Sequence, residues 1–150
     1  MISFTYYDSP IGTLQIGYEE NSIISIGSCA AAGLDIPSPV SDAAKQQLQE
    51  YFAKTRTSFD LPLNPQGTPF QRAVWKCISD IPYGEVRTYG QIAAAIGNPN
   101  ASRAVGQAAN KNPLWIVIPC HRVVGSNHDL TGYAGGLHMK KILLDLEKSE

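Results

Sequence analysis

The spacing of the apolar residues changes once along this chain, and that change limits the folds open to it. Over the first 26 residues, apolar residues alternate with others, as at Leu14, Ile16 and Tyr18, which is the period of a half-buried β-strand. Beyond Thr68 the apolar residues recur every three to four positions, which is the period of amphipathic helices. We therefore predict an α+β fold, in which a small N-terminal lobe of β-sheet and helix precedes a mostly helical C-terminal lobe.

The N-terminal lobe is predicted to contain a β-hairpin, a further strand and one helix. The hairpin turn falls at residues 9–12, where Ser, Pro and Gly cluster, and Ser41 is the predicted N-cap of the helix. A strand from Phe59 then leads into a linker that contains two prolines. This linker divides the chain into domains 1–66 and 67–150. No residue of the first domain suggests chemistry, so we interpret it as a scaffold.

Two capping boxes mark the starts of helices in the C-terminal lobe. Thr68 precedes Gln71 by three residues, and Thr88 precedes Gln91 in the same way. A further helix is predicted over residues 101–110, after a turn rich in Gly, Asn and Pro. The resulting helix-turn-helix order occurs in many DNA-binding proteins, but αα-hairpins are also common in proteins that do not bind DNA.

A short β-branched run ends at a cysteine. Residues 116–118, Ile-Val-Ile, predict a buried strand, and Pro119 disfavours helical geometry before it, so the chain should stay extended up to Cys120 and then turn. The adjacent His121 and Arg122 should favour the thiolate and lower the thiol pKa below its free value of about 8.5. Isolated cysteines are also often small buried apolar residues, so the Cys-His pair alone leaves both alternatives open.

The cysteine pattern argues against a disulfide framework and against a zinc site. Cys29, Cys77 and Cys120 lie far apart, without Cys-x-x-Cys spacing, and the first domain has no Cys/His cluster. No apolar run approaches the ~20 residues that span a bilayer, and the N-terminus lacks the pattern of a signal peptide. We therefore expect a cytoplasmic protein that needs no metal, no cofactor and no membrane.

Charge is distributed unevenly between the two domains. The net charge is −1, which is unusual for a nucleic-acid-binding domain. Residues 68–122 nevertheless carry two acidic side chains against six basic ones: Arg72, Lys76, Arg87, Arg103, Lys111 and Arg122. We predict that this segment faces phosphate groups, although a modest excess of basic residues can also be a solvated face.

Six short motifs, taken together, resemble those of the O6-alkylguanine-DNA alkyltransferases. They are PCHRV at 119–123, GEV at 84–86, TYGQIA at 88–93, RAVG at 103–106, NP at 112–113 and GYAGGL at 132–137. The resemblance implies a monomeric DNA repair protein that binds duplex DNA through the minor groove. It also implies that the protein rotates the O6-alkylguanine nucleotide out of the stack and transfers the alkyl group irreversibly to its own Cys120, once per molecule.

The resemblance also implies a reaction centre around Cys120. His121 would contact the thiol through a water molecule and would itself be oriented by a glutamate. The predicted last helix offers Glu147, which continues the apolar stripe of Met139, Ile142, Leu143 and Leu146, and a buried carboxylate needs such a partner. In the family, the residue matching Asn112 ties the active-site turn to the helix-turn-helix.

The same resemblance assigns a DNA-binding face and a base pocket. Arg103 would enter the duplex as a finger and Tyr89 would assist the rotation of the nucleotide. The minor groove is only about 6 Å wide, so the short outward residues of the 101–110 helix would allow close approach. These residues are Ser102, Gly106 and Gln107. The wall of the guanine pocket would be formed by Val123, Gly125, Ser126 and Tyr133.

Two other functions are compatible with parts of the sequence. Alkyltransferase-like proteins bind alkylated DNA without repairing it, but they lack the cysteine that this chain has at position 120. A cysteine hydrolase could be built on Cys120, His121 and Glu147. Nothing in the sequence marks an oxyanion hole for it, and it would leave the helix-turn-helix unexplained.

Overall fold

The chain folds into two compact units. The computed structural model describes residues 1–130, 133 and 136–148, and the units are Met1–Gln66 and Gly67–Glu150. The first combines a β-sheet with one helix and the second is mostly helical. The α+β fold class predicted from the spacing of apolar residues is therefore confirmed.

The first unit is a three-stranded antiparallel sheet with a helix packed against it. Its central strand buries Leu14 and Ile16 completely, as the alternating pattern predicts. The helix contacts this strand and buries Ala44, Leu48 and Tyr51. The elements, paired in chain order within the sheet, are β1 (Ser3–Ser9), β2 (Gly12–Glu19), β3 (Ser22–Ser28) and α1 (Pro39–Phe52).

Two predictions for this unit are wrong in detail. The N-cap of α1 is Ser38 and not Ser41, because Pro39 fits the first helical position and the Ser38 hydroxyl accepts a hydrogen bond from the Ser41 amide. The predicted strand from Phe59 is reduced to a single bridge between Leu63 and Ile23. Prolines on both sides of Leu63 lack the N–H that a longer ladder would need.

The described residues of the second unit form four α-helices, one 3₁₀ turn and a two-stranded parallel ladder. Both predicted capping boxes are confirmed, since the hydroxyls of Thr68 and Thr88 accept hydrogen bonds from the amides of Gln71 and Gln91. Trp75 joins two of the helices, because its indole N–H donates to the Ala108 carbonyl at 2.8 Å. The elements are α2 (Pro69–Ser79), β4 (Arg87–Thr88), α3 (Tyr89–Ala95), α4 (Ser102–Asn110), β5 (Val123–Val124) and α5 (Leu137–Lys148), and β4 pairs with β5.

The buried strand predicted over residues 116–118 does not form. The chain instead makes consecutive turns, in which the Val117 amide donates to the Trp115 carbonyl and the Ile118 amide donates to the Leu114 carbonyl. Ile116 has a φ of +72°, a backbone conformation that a β-branched residue rarely adopts. The predicted burial of the apolar run is therefore confirmed at Ile116 and Ile118, but the predicted strand conformation of its backbone is wrong.

The buried face of α5 also differs from the predicted stripe. Ile142 is 38% exposed, and Met139 and Leu146 are only half-buried. The face that turns inward carries Leu143, as predicted, together with Lys140, Leu144 and Glu147. These positions follow the i, i+3, i+4, i+7 spacing of a single helix face. Glu147 was predicted on this face, and Lys140 is the charged residue that was not predicted there.

Candidate active site

A single 3₁₀ turn, Cys120–Arg122, brings three chemically active side chains into the interior. All three are buried, and His121 is fully so. Successive residues of a 3₁₀ helix are rotated by about 120°, so neighbouring side chains point in different directions. The turn that the sequence predicted at Cys120 is therefore present, and it directs His121 and Arg122 to the same carboxylate on α5.

Asn112 braces the loop that leads to this turn. Its amide group donates to the Ile118 carbonyl at 2.8 Å, and its side-chain oxygen accepts from the Leu114 amide at 2.9 Å. Its backbone N–H donates to the Ala109 carbonyl at the end of α4. Its side chain thus satisfies two backbone groups of a loop that has no regular ladder, and its backbone N–H links this loop to α4.

The Glu147 carboxylate is the centre of a buried hydrogen-bond network. Its Oε2 lies 2.6 Å from His121 Nε2 and 3.0 Å from Arg122 Nη2, and its Oε1 lies 2.8 Å from Arg122 Nε. Burial alone would raise the pKa of Glu147, but the hydrogen bonds from His121 and Arg122 outweigh it and hold the pKa at about 2. Glu147 is therefore ionised at neutral pH.

The state of His121 follows from this network. Burial lowers the pKa of His121, and the opposing effect of Glu147 does not restore it, so the imidazole is neutral at neutral pH. Because Glu147 is an ionised acceptor, the ring proton lies on Nε2 and Nδ1 keeps its lone pair. His121 Nδ1 is buried and has no hydrogen-bond partner among the described residues. This nitrogen is therefore available to accept a proton.

Cys120 does not behave as the sequence suggested. Burial raises the pKa of its thiol to about 12, and the opposing effects of the Lys140 charge and a hydrogen bond from Asn112 do not compensate. The predicted lowering of the thiol pKa by His121 and Arg122 is wrong, because His121 is neutral and the charge of Arg122 is paired with Glu147. In the resting protein Cys120 is a neutral thiol.

Lys140 is a residue of this site that sequence reasoning missed. Its side chain is fully buried, and its Nζ lies 3.4 Å from the Tyr89 hydroxyl and 5.7 Å from the centre of the Tyr89 ring. Burial lowers the pKa of Lys140 to about 8, although the Cys120 thiol acts in the opposite direction. The available signal was its spacing, since Lys140 lies on the same helix face as Leu143 and Glu147.

The predicted DNA-binding residues lie on one face of α4. Ser102, Arg103 and Gln107 are exposed, whereas the opposite face of the helix is buried. Gly106 is half-buried beside Tyr89: a methyl group at position 106 would lie 3.8 Å from the ring, which is ordinary contact. Gly106 thus borders the ring of another predicted DNA-binding residue.

The basic segment is smaller than the sequence count suggested. Arg122 is buried, so it cannot face phosphate groups, and the half-buried Arg87 pairs with Glu85 at 3.1 Å. The basic residues that remain exposed are Arg72, Lys76, Arg103 and Lys111. The assignment of Arg122 to the charged face was therefore wrong.

The predicted pocket residues lie in β5, in the tight turn that follows it and, for Tyr133, beside Trp115. Val123 is fully buried, Gly125 is half-buried and Ser126 is exposed. Tyr133 is buried beside Trp115, with 5.8 Å between the ring centres, and its hydroxyl has no hydrogen-bond partner in the described part of the chain. Within the GYAGGL motif, positions 132, 134 and 135 lie outside the described residues.

Over residues 1–130, 133 and 136–148, no three His, Cys, Asp or Glu side chains come together in a way that could hold a metal ion. Among the helices of that same part of the chain, none combines the length and the hydrophobicity needed to cross a membrane.

Family models and curated relatives cover almost the whole chain. The model of the 6-O-methylguanine DNA methyltransferase ribonuclease-like domain matches residues 2–65, and that of the DNA binding domain of the same family matches residues 69–149. A methylated-DNA–protein-cysteine methyltransferase of Methanosarcina acetivorans is 45% identical and aligns over 97% of this chain and 98% of its own length. A constitutive methylated-DNA–protein-cysteine methyltransferase of Bacillus subtilis is 46% identical and aligns over 97% of this chain and 94% of its own length.

Solved structures from Mycobacterium tuberculosis share the fold. Its O6-methylguanine methyltransferase superposes with a TM-score of 0.89 at 43% identity, covering 99% of this chain and 93% of that one. A structure described as OGT from the same organism in complex with DNA superposes with a TM-score of 0.89 at 44% identity. The superposition covers 97% of this chain and 92% of that one.

Replacing Glu147 with Gln should remove a pH-dependent part of the stability. Folding lowers the pKa of Glu147 from 4.5 to about 2, so its contribution is fully present above pH 4.5 and is lost as the pH falls towards 2. We expect Glu147→Gln to lower the free energy of unfolding by about 3 kcal/mol at neutral pH, and by progressively less in acid. Urea unfolding across this pH range measures the difference.

A matched control is Asp145→Asn on the same helix. Asp145 is exposed and forms an ion pair with the exposed Lys141 at 2.8 Å, which solvent screens, so its loss should cost little stability at any pH. If Glu147→Gln destabilised the protein equally at every pH, Glu147 would not be an ionised carboxylate that is hydrogen-bonded to both His121 and Arg122.

Proposed function

The chain belongs to the 6-O-methylguanine DNA methyltransferase family, and we propose that Cys120 is the cysteine that receives the alkyl group. The protein is a DNA repair alkyltransferase, which transfers the alkyl group of methylated DNA to one of its own cysteines. The observation that carries the assignment to Cys120 is its neighbour: a buried, neutral His121 whose Nε2 is bound to an ionised carboxylate.

The proposed reaction is a direct displacement at the alkyl carbon. The sulfur of Cys120 forms a bond to this carbon while the bond between the carbon and guanine O6 breaks. The thiol proton passes to His121 Nδ1 through a bridging water, and the released guanine takes up one proton from water as the imidazolium returns its proton to water, so no net proton is gained or lost. Glu147 holds the imidazole and stabilises the imidazolium that forms, as a carboxylate does in a protease triad.

Burial makes the reactive thiol selective in this proposal. A thiol whose pKa is about 12 is almost entirely protonated at neutral pH, so it reacts poorly with electrophiles met by chance. The base pocket, which we assign to Val123, Gly125, Ser126 and Tyr133, would bring the alkyl carbon and the base His121 to the sulfur at the same time. Lys140 then stabilises the developing thiolate, since its charge already lowers the pKa of Cys120.

DNA binding is assigned to α3 and α4 as a helix-turn-helix. The exposed face of α4 carries Ser102 and Gln107, both short enough to approach the minor groove, with Gly106 between them. Arg103 projects from the same face and would occupy the space left by the rotated nucleotide. Tyr89, which lies between Gly106 and Lys140, would assist that rotation. The partner is duplex DNA that contains O6-alkylguanine.

The two units have separate roles in this proposal. Residues 67–150 bind DNA and carry out the transfer, with Asn112 joining the active-site loop to α4, while residues 1–66 form a scaffold. The protein acts as a monomer in the cytoplasm and requires no cofactor, because both the nucleophile and the base belong to the chain.

The finger role of Arg103 predicts a difference between substrates. Rotation of a nucleotide out of the duplex costs a few kcal/mol, and free O6-methylguanine does not require it. Arg103→Ala should therefore slow transfer from duplex DNA by roughly 100-fold and leave transfer from the free base nearly unchanged. Single-turnover kinetics on both substrates, with Lys76→Ala as an exposed basic control, measure this. Equal losses on both substrates would contradict the role.

The stoichiometry tests the assignment of Cys120. Transfer to sulfur forms a thioether, which neither water nor a thiol readily cleaves, so each molecule should repair one base. We expect a burst equal to the protein concentration and no later turnover. Peptide mapping by mass spectrometry should place one methyl group on the Cys120 peptide.

Cysteine variants complete this experiment. Cys120→Ser should abolish transfer but retain binding to alkylated duplex, because serine is far less ionised and has nearly the same shape. Cys29→Ser and Cys77→Ser should keep the full burst. Methyl groups found mainly on Cys29 or Cys77, or several turnovers per molecule, would overturn the proposal.

A further inference from the structure

Arg122 is a buried cation that faces the reaction network instead of DNA. It is only 6% exposed, although it lies two residues after the reactive cysteine in a segment rich in basic residues. Its guanidinium donates three hydrogen bonds: from Nε to Glu147 Oε1 at 2.8 Å, from Nη2 to Glu147 Oε2 at 3.0 Å, and from Nη1 to the Ile81 carbonyl at 2.7 Å.

These bonds fix the position of the carboxylate. Two parallel N–H···O bonds from one guanidinium define both the plane and the distance of the group that they hold. The third bond anchors the guanidinium to the backbone just after α2, and the Tyr83 ring lies 5.6 Å from its central carbon. Glu147 Oε2 is thereby held 2.6 Å from His121 Nε2, although Glu147 belongs to a different element of the chain.

Arg122 also opposes the charge of the carboxylate. An isolated buried carboxylate favours the imidazolium form of a bonded histidine, which would remove the base before the reaction. Arg122 donates to the same Oε2 that His121 contacts, and its positive charge lowers the pKa of His121. The charged groups that face His121 among the described residues are Glu147 and Lys140 on α5 and Arg122 beside it, while the neutral Cys120 precedes it.

We propose that Arg122 is a positioning residue for alkyl transfer, which fixes the Glu147 carboxylate and so holds His121 as a neutral base with its lone pair on Nδ1. The proposal rests on the function proposed above for Cys120 and His121. Arg122 itself need not touch the thiol or the substrate. Stabilisation of the fold does not by itself explain the buried Arg122–Glu147 ion pair, because replacing a buried ion pair with apolar residues is often neutral or stabilising.

Two substitutions separate the charge of Arg122 from its geometry. Arg122→Lys keeps the charge but loses the two-pronged contact, whereas Arg122→Gln keeps a hydrogen-bond donor but loses the charge. A matched control is Arg56→Gln in the first unit, which removes an arginine that pairs with Glu50 at 2.8 Å. This control removes a partly exposed ion pair from a unit that contributes no residue to the described hydrogen-bond network around His121.

The pH dependence of single-turnover transfer distinguishes positioning from stability. Removing a positive charge raises the pKa of His121, so the acid limb of the rate profile should move to higher pH in Arg122→Gln. In Arg122→Lys the acid limb should stay near that of the wild type while the rate falls on the order of 10- to 100-fold, because the base is misplaced. Arg56→Gln should change neither the limb nor the rate of the folded protein.

Nitrogen NMR of His121 provides a second measurement that needs no DNA. In the wild type it should show a neutral ring protonated at Nε2, with a pKa below the ordinary 6.5. Arg122→Gln should raise that pKa, and Arg122→Lys should give a mixture of the two neutral tautomers. A folded Arg122→Gln protein with an unchanged acid limb and an unchanged His121 titration would overturn the proposal.

The wild-type measurement keeps the proposal testable if the variants do not fold. A wild-type His121 that is charged at neutral pH, or protonated at Nδ1 when neutral, would overturn it without any variant. Failure of the proposed function is seen separately, because peptide mapping would then place the methyl group away from Cys120 whatever the state of His121.

Discussion

The ionised, buried carboxylate of Glu147 is the constraint on which the active site depends. An unpaired charge in the interior is costly, so the carboxylate requires donors with good geometry. It receives them from His121 and Arg122, and Arg122 is in turn held by the Ile81 carbonyl. The α5 helix, the 3₁₀ turn and the segment after α2 are thereby brought together around one group. The arrangement that satisfies the charge also leaves His121 neutral, which the proposed reaction requires of its base.

The same burial makes the protein selective about when it reacts. Cys120 is kept as a neutral thiol by desolvation, and the nearby Lys140 charge offsets only part of that effect. The ability to form a thiolate is therefore not stored in the resting cysteine. It depends on a base and a cation that act when the alkyl carbon arrives, in a site from which water is largely removed. A protein that is consumed by its reaction benefits from this, because chance alkylation would waste it.

Local sequence signals predicted the local features of this structure well. The capping boxes at Thr68 and Thr88 were predicted because their hydrogen bonds involve residues only three positions apart. The closeness of Glu147 to His121 was also predicted, because the family resemblance implied a glutamate beside the histidine and the helical spacing of α5 put a carboxylate on its buried face. Three features were missed. The pairing of Arg122 with Glu147 depends on contacts distant in sequence, and the burial of Lys140 was signalled only by its spacing on α5. The turns at residues 116–118 are closed by local hydrogen bonds, but a β-branched run with a proline after it favours an extended strand.

Burial, and not the neighbouring positive charges, sets the state of Cys120 in the resting protein. Titration of the thiolate by its ultraviolet absorbance, as the difference between the wild type and Cys120→Ser, tests this directly, because Cys29 and Cys77 cancel in the difference. Cys120 should remain protonated well beyond the pKa of free cysteine and ionise near 12. A midpoint at or below the free-cysteine value of about 8.5 would contradict it.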